Sequence, residues 1–252
     1  MSATIAVISD LHFDQSGVPH PERRGDLADI LFQRAVDRLN ESIRPDVLLL
    51  PGDMVDQGGT SAARDCLKRL RSITDLIECP IIAIPGNHDG APDVFYAIFD
   101  RPPLHLDVKG VRFVPFLDPE EPGWNARREP HDIARMANAR VGFDGPIVAV
   151  QHVPLCPPGQ SYRHFNYTNA NDIIAAMRTH GYVLSVSGHY HPGMELVQAE
   201  GIGFVAAPAL CERPFRFLEV TLGNSEVSVC EHALLCDETD GDPGDILLEP
   251  RA

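Results

Sequence analysis

Three runs of four apolar residues, Ile5-Ala6-Val7-Ile8, Val47-Leu48-Leu49-Leu50 and Ile81-Ile82-Ala83-Ile84, are separated by two long segments of helical periodicity. Each run is too brief for a helix of ordinary length and has no polar face, so it reads as a strand buried on both sides. Between the runs, Leu27, Ile30, Leu31, Ala35, Leu39 and Ile43 recur at helical spacing, and so do Ala63, Cys66, Leu67, Leu70, Ile73 and Ile77. Pro45-Asp46 ends the first helix, because proline lacks an N–H and pushes the residue before it out of the α region. A β-α-β-α-β succession of this kind demands parallel strands joined by crossover helices.

The middle of the chain is less regular. Pro102, Pro103, Pro115, Pro119, Pro122 and Pro130 punctuate strand candidates near 104–107 and 111–115 and a predicted helix over 130–139. The rhythm resumes with Ile147–Val150, a helix near 170–180 and a strand over 183–186. Shorter stretches near 194–198, 202–206, 215–221 and 226–231, joined by turns, predict an antiparallel finish. No linker divides the chain, so residues 1–236 are expected to form one domain, with 101–145 and 153–170 as cap or rim segments. Residues 237–252 are acidic and carry Gly241, Pro243 and Gly244. They are expected to form a loose tail, on which Ile246-Leu247-Leu248 could dock.

With 44% hydrophobic and 23% charged residues the chain can bury a core without disulfides. Its formal charge of -15 argues against a broad basic surface for nucleic acid. An anionic small molecule remains open, since bound divalent cations reverse the field inside a cleft. The six cysteines contain no C-x-x-C pair and read as buried or free thiols of a reducing compartment. Thr4 leads directly into a strand, without the basic and apolar regions of a leader, and no apolar run approaches the roughly 20 residues that span a bilayer. The expectation is a cytoplasmic protein with no membrane partner; self-association stays open.

The polar signatures each follow a strand, which is where open α/β sheets collect ligands. Asp10-Leu11-His12 follows the first, Gly52-Asp53-Met54-Val55-Asp56 the second, and Gly86-Asn87-His88-Asp89 the third. Gln151-His152 and Gly188-His189-Tyr190-His191 follow the fourth and fifth. Asp and His suit borderline transition metals, and an Asn amide oxygen completes a metal shell without adding charge. Singly, each motif reads as readily as a turn, a helix cap or a satisfied core histidine. Five in succession do not.

This ordered set resembles the calcineurin-like metallophosphoesterase superfamily, nearest in spacing to its cyclic nucleotide and glycerophosphodiester phosphodiesterase branch. The resemblance runs from residue 10 to residue 191. It implies an α/β fold, a four-layer α/β/β/α sandwich of two mixed β-sheets flanked by helices. It also implies two divalent or trivalent transition-metal ions, Mn, Fe or Zn, with Asp53 shared between them. One ion would be held by Asp10, His12, Asp53 and His191, the other by Asp53, Asn87, His152 and His189. A water between two such ions could attack a phosphoryl group in line with its leaving oxygen. The resemblance places His88 near the leaving group as a catalytic residue rather than a ligand. Asp89 would orient it, or else cap the following turn. Purple acid phosphatases have a tyrosine ligand where this chain has Asp56, so Asp56 is expected to support the loop.

Outside the motifs, Ser161-Tyr162-Arg163-His164-Phe165-Asn166-Tyr167 could overhang the metals. Arg163 and His164 are candidate substrate-binding residues there, and Tyr162 or Tyr167 could stack on a base. Gly123-Trp124-Asn125 and Arg127-Arg128 are a second candidate rim. The remaining histidines, His20, His105, His131, His180 and His232, read as surface or core filler. The expected function is hydrolysis of a small-molecule phosphodiester. The alternatives are a phosphomonoesterase, a protein phosphatase or nuclease on the same site, or an inactive metal-binding scaffold.

Overall fold

Alternation along the strands decides the layering. The computed structural model describes residues 2–16, 18, 20–159, 165–223 and 226–235. β1 (Ala3–Val7), β2 (Val47–Leu50) and β3 (Ile81–Ala83) run parallel, with α1 (Ala28–Arg38) and α2 (Ser61–Thr74) as the crossovers. A π-helical turn over Leu39–Ile43 carries α1 to the stop at Pro45. The Thr60 hydroxyl accepts the Ala63 N–H at 3.0 Å and caps α2. The short α3 (Pro92–Phe95) follows, then the antiparallel pair β4 (Leu106–Val108) and β5 (Val111–Pro115).

A two-stranded hairpin, β6 (Glu120–Glu121) and β7 (Asn125–Ala126), precedes α4 (Pro130–Asn138) and β8 (Ile147–Val150). Next come α5 (Ala170–Thr179), β9 (Tyr182–Ser187), β10 (Met194–Ala199) and β11 (Ile202–Ala206). The described chain ends with the antiparallel strands β12 (Arg216–Leu222) and β13 (Val227–Ala233). One sheet has the order β13-β12-β1-β2-β3 and the other β10-β11-β9-β8-β5-β4. Both mix parallel and antiparallel pairs, and the finish is only partly antiparallel, because β11 pairs parallel to β9.

On β1 and β2, Ile5, Val7, Val47 and Leu49 face the second sheet, where they pack with Phe113, Val148, Val150, Leu184 and Val186. Ala6, Ile8, Leu48 and Leu50 face the other way, onto Leu31, Phe32 and Ala35 of α1 and Leu67 and Leu70 of α2. The second sheet is covered likewise, with Ile147 and Ala149 under Met136 of α4 and Ile173 and Met177 of α5. Helix, sheet, sheet, helix: the expected four layers are present. Among the described residues, no helix is long and apolar enough to cross a membrane.

Candidate metal centre

Past the ends of β1 and β2 the two backbones stay paired. The Asp10 N–H donates to the Gly52 carbonyl at 3.1 Å and the His12 N–H to the Asp53 carbonyl at 3.0 Å, which sets Asp10 and His12 beside Asp53. On the second sheet the Gly188 N–H donates to the His152 carbonyl at 3.0 Å. The His189 N–H then reaches across to Asp10 Oδ2 at 2.9 Å, joining the two sheets at this end. The approach is close enough to require glycine. A Cβ at Gly52, whose φ is 113°, would lie 2.5 Å from the Gly86 nitrogen and 2.7 Å from His152 Nδ1. Asp10, His12, Asp53 and His189 hold left-handed φ values of 54°, 44°, 53° and 67°. For non-glycine residues that strain is of order 1–3 kcal/mol each, and it concentrates at functional sites.

The imidazoles face inward in pairs, His12 Nε2 3.1 Å from His191 Nε2 and His152 Nε2 3.1 Å from His189 Nδ1. Each ring's other nitrogen has an acceptor behind it. His12 Nδ1 donates to Asp56 Oδ1 at 3.1 Å and His191 Nδ1 to Glu212 Oε1 at 2.5 Å. His152 Nδ1 donates to the Pro51 carbonyl at 2.7 Å and His189 Nε2 to the Trp124 carbonyl at 3.1 Å. An imidazole that donates from one nitrogen carries its lone pair on the other. In their neutral form the four rings therefore turn four lone pairs toward one another among carboxylates, which is the donor set of a cation. Asp10, His12 and His191 form one group able to hold a metal ion, and Asp53, His152 and His189 another, with the ligand atoms of each within 4.8 Å of one another. Asn87 Oδ1 lies 2.9 Å from His152 Nε2 and joins the second. Asp53 Oδ2 is 3.3 Å from His152 Nε2 and 3.7 Å from His12 Nε2, while Oδ1 accepts the His88 N–H at 2.8 Å. A single oxygen of Asp53 thus faces both groups.

The buried imidazoles and carboxylates perturb one another strongly. Burial alone would raise Asp53, but the adjoining His152 holds its carboxyl far below the usual range. His152 is itself pushed up to about 9, against its burial, by the Asp53 carboxylate. Burial, then the neighbouring His152, brings His189 down to about 4. Burial, then the charge of Asp53, pushes Asp89 up to about 7.

Several sequence-derived roles change. Asp89 does not orient His88: its carboxylate accepts the Val55 N–H at 3.0 Å and the Gly86 N–H at 2.8 Å, tying together the loops after β2 and β3. The His88 ring instead donates from Nδ1 to the Asp56 carbonyl at 2.7 Å and stands edge-on to His12, centroids 4.7 Å apart. Tyr167 is buried, with its hydroxyl on Asp118 at 2.7 Å, rather than exposed as an overhanging ring. Arg128 is not a rim residue. Fully buried, it pairs with Asp118 at 2.7 Å and lies over the Phe116 ring at 3.6 Å. Asp56 stands behind His12, and with His12 and His88 it makes a third group whose ligand atoms could hold a metal ion. Tyr162, Arg163, His164, Cys236 and residues 237–252 lie outside the described residues.

Glu212 was not singled out in the sequence. It reaches His191 because β11 runs parallel to β9 and so delivers the following segment to the same end of the sheet, where Leu210 N–H donates to the Ser9 carbonyl at 3.0 Å. Arg23 was missed as well. Its Nη1 is 3.2 Å from Asp56 Oδ1 and its Nε 4.0 Å from Glu212 Oε1, so it stands between the two carboxylates that support His12 and His191.

Residues 3–193 match the family model of the calcineurin-like phosphoesterases. Over 217 residues the chain is 27% identical to a probable cyclic nucleotide phosphodiesterase of Synechococcus, covering 83% of this chain and 81% of that one. A cAMP/cGMP dual specificity phosphodiesterase of Mycobacterium tuberculosis is 25% identical over 145 residues, 51% of this chain and 43% of that protein. In fold the chain is similar to a dimetal phosphatase from Danio rerio, with a TM-score of 0.66 at 15% identity, covering 92% of this chain and 96% of that one. It is also similar to a purple acid phosphatase of yellow lupin, with a TM-score of 0.60 at 11% identity over 92% of this chain and 52% of that one. With three quarters of its length matched by the family model, the chain belongs to the calcineurin-like phosphoesterases and is a metal-dependent phosphoesterase.

Proposed function

We propose that the chain hydrolyses a small-molecule phosphodiester at a site for two transition-metal ions, Mn, Fe or Zn. Asp10, His12, Asp53 and His191 hold one, and Asp53, Asn87, His152 and His189 hold the other. The observation that carries this reading is the set of four imidazoles whose outer nitrogens are engaged by acceptors and whose inner nitrogens meet in two pairs, with one member of each pair, His12 and His152, facing Asp53 Oδ2 at 3.7 and 3.3 Å. Bound there, the cations supply Lewis-acid stabilisation of phosphoryl charge and hydroxide at neutral pH. The protein's own part is positioning. The carboxylate and carbonyl acceptors behind the histidines fix ring orientation and tautomer. The Asp53 Oδ1 bond to the His88 N–H holds the shared carboxylate at a fixed angle. His88 is anchored through Nδ1, and its imidazolium form would carry on Nε2 the proton given to the leaving oxygen. The diester preference is supported by the named activities of the Synechococcus and Mycobacterium relatives. The five described cysteines are unbridged, which supports a reducing, cytoplasmic setting.

The test is elemental analysis of the purified protein beside turnover with Mn, Fe and Zn. Bis(p-nitrophenyl) phosphate should be cleaved in preference to p-nitrophenyl phosphate. A strong preference for the monoester overturns the diester assignment, and full metal occupancy without turnover of any phosphoester overturns the whole reading.

A further inference from the structure

The two sides of the site have different walls. Beside His12 a cleft of about 340 Å³ is lined by the charged side chains of Asp14, Arg23, Arg24, Asp26 and Asp56, together with His20. Beside Asn87, His152 and His189 a cleft of about 450 Å³ is lined mostly by glycine, proline and apolar or aromatic residues, among them Pro85, Pro92, Phe116 and Tyr167, with Asp118 and Glu120 as its two carboxylates. At the rim of this second side stands Trp124, the one tryptophan of the sequence. Its carbonyl is fixed on His189, its backbone is left-handed at φ 62°, and the residue is 55% exposed. Phe165 stands at the same histidine, with ring centroids 5.0 Å apart. A parallel bridge between Ala126 and Tyr167 sets the two segments side by side, so Trp124 and Phe165, two residues back on each, are neighbours in register. Asn125 Oδ1 accepts the Asn166 N–H at 3.1 Å and locks that register.

An indole left more than half exposed contributes little to folding, yet here its backbone is held against an inward-facing histidine. We propose that Trp124, with Phe165 beside it, is the specificity subsite of this phosphoesterase. It takes a planar aromatic group of the ester, so that the organic substituent lies over the Asn87/His152/His189 side and away from the charged side. This rests on the phosphodiester reading above. An aromatic platform binds a flat ring by stacking, without a hydrogen-bond code, and so selects ring over chain rather than one ring over another.

Because the chain has one tryptophan, the platform reports on itself. Titration of the purified protein with adenosine monophosphate should quench its emission saturably, and ribose 5-phosphate, the same phosphate without the base, should not. Equal quenching by both, or by neither, overturns the proposal. In kinetics, Trp124→Leu should lower kcat/KM on bis(p-nitrophenyl) phosphate about tenfold more than on a dialkyl phosphodiester, the size expected of one stacking contact. Trp124→Phe should restore most of that difference. Equal losses on both esters would mean that Trp124 acts only through its carbonyl and His189, which also overturns the proposal. A wild type that cleaves monoesters alone would defeat the diester reading, while the fluorescence pair would still decide for or against Trp124.

Discussion

The two halves of the site are built from the same residue types but supported in opposite ways. Behind His12 and His191 stand the carboxylates Asp56 and Glu212, with Arg23 between them. Behind His152 and His189 stand the backbone carbonyls of Pro51 and Trp124. A carboxylate behind an imidazole draws its proton more strongly than a carbonyl does and makes the inner nitrogen the better donor. A side-chain support can also be removed by mutation; a backbone support moves only with its loop. One half is therefore tuned by individual residues, the other by the course of the chain.

The comparison can be broken at four points of decreasing size. Asp53→Asn removes the charge on the carboxylate that faces both halves, and kcat/KM should fall by at least about a thousandfold, with the fold retained by circular dichroism. Full activity in this variant would remove Asp53 from both halves at once. His88→Asn should lower kcat by about 10²–10⁴ at unchanged metal content, because it deletes a proton donor and not a ligand. Loss of metal in that variant would make His88 part of the metal-holding set. Glu212→Gln should weaken binding at one of two metal sites by about 10–100-fold in a chelator competition, leaving the other site unmoved. If both sites weakened together, the halves would not be independently supported. Tyr167→Phe removes one hydrogen bond to Asp118 beneath the aromatic side. It should lower stability in urea by about 1 kcal/mol, with no change at the carboxylate-supported half.

What could be read from the residues alone was whatever chemistry sat directly at a strand end. Asp10, His12, Asp53, Asn87, His152, His189 and His191 each follow an apolar run, and the structure brings them together. Glu212 follows a strand too, but its position at the site depends on β11 pairing parallel to β9, a long-range choice that hydrophobic periodicity does not encode. Asp89 misled for a local reason: adjacency in sequence is not contact, and the buried N–H groups of Val55 and Gly86 claim its carboxylate before His88 can. Tyr167 misled because a ring and a hydroxyl have two uses, and the Asp118–Arg128 pair takes the hydroxyl inward. The hairpin that carries Trp124 has strands of two residues each, too short for any alternation to show.

The hydrogen bond from the His189 N–H to Asp10 ties a loop of one sheet to a loop of the other. Asp10, His12, Asp53 and Asn87 come from the first sheet, and His152, His189 and His191 from the second. Each proposed ion would therefore be clasped by both sheets, as a rivet through two plates. Anything bound there that the unfolded chain cannot bind adds its binding free energy to the sandwich as a whole. Chelation should thus lower the melting temperature of the entire molecule, and the loss should be felt first where the two sheets meet at this end.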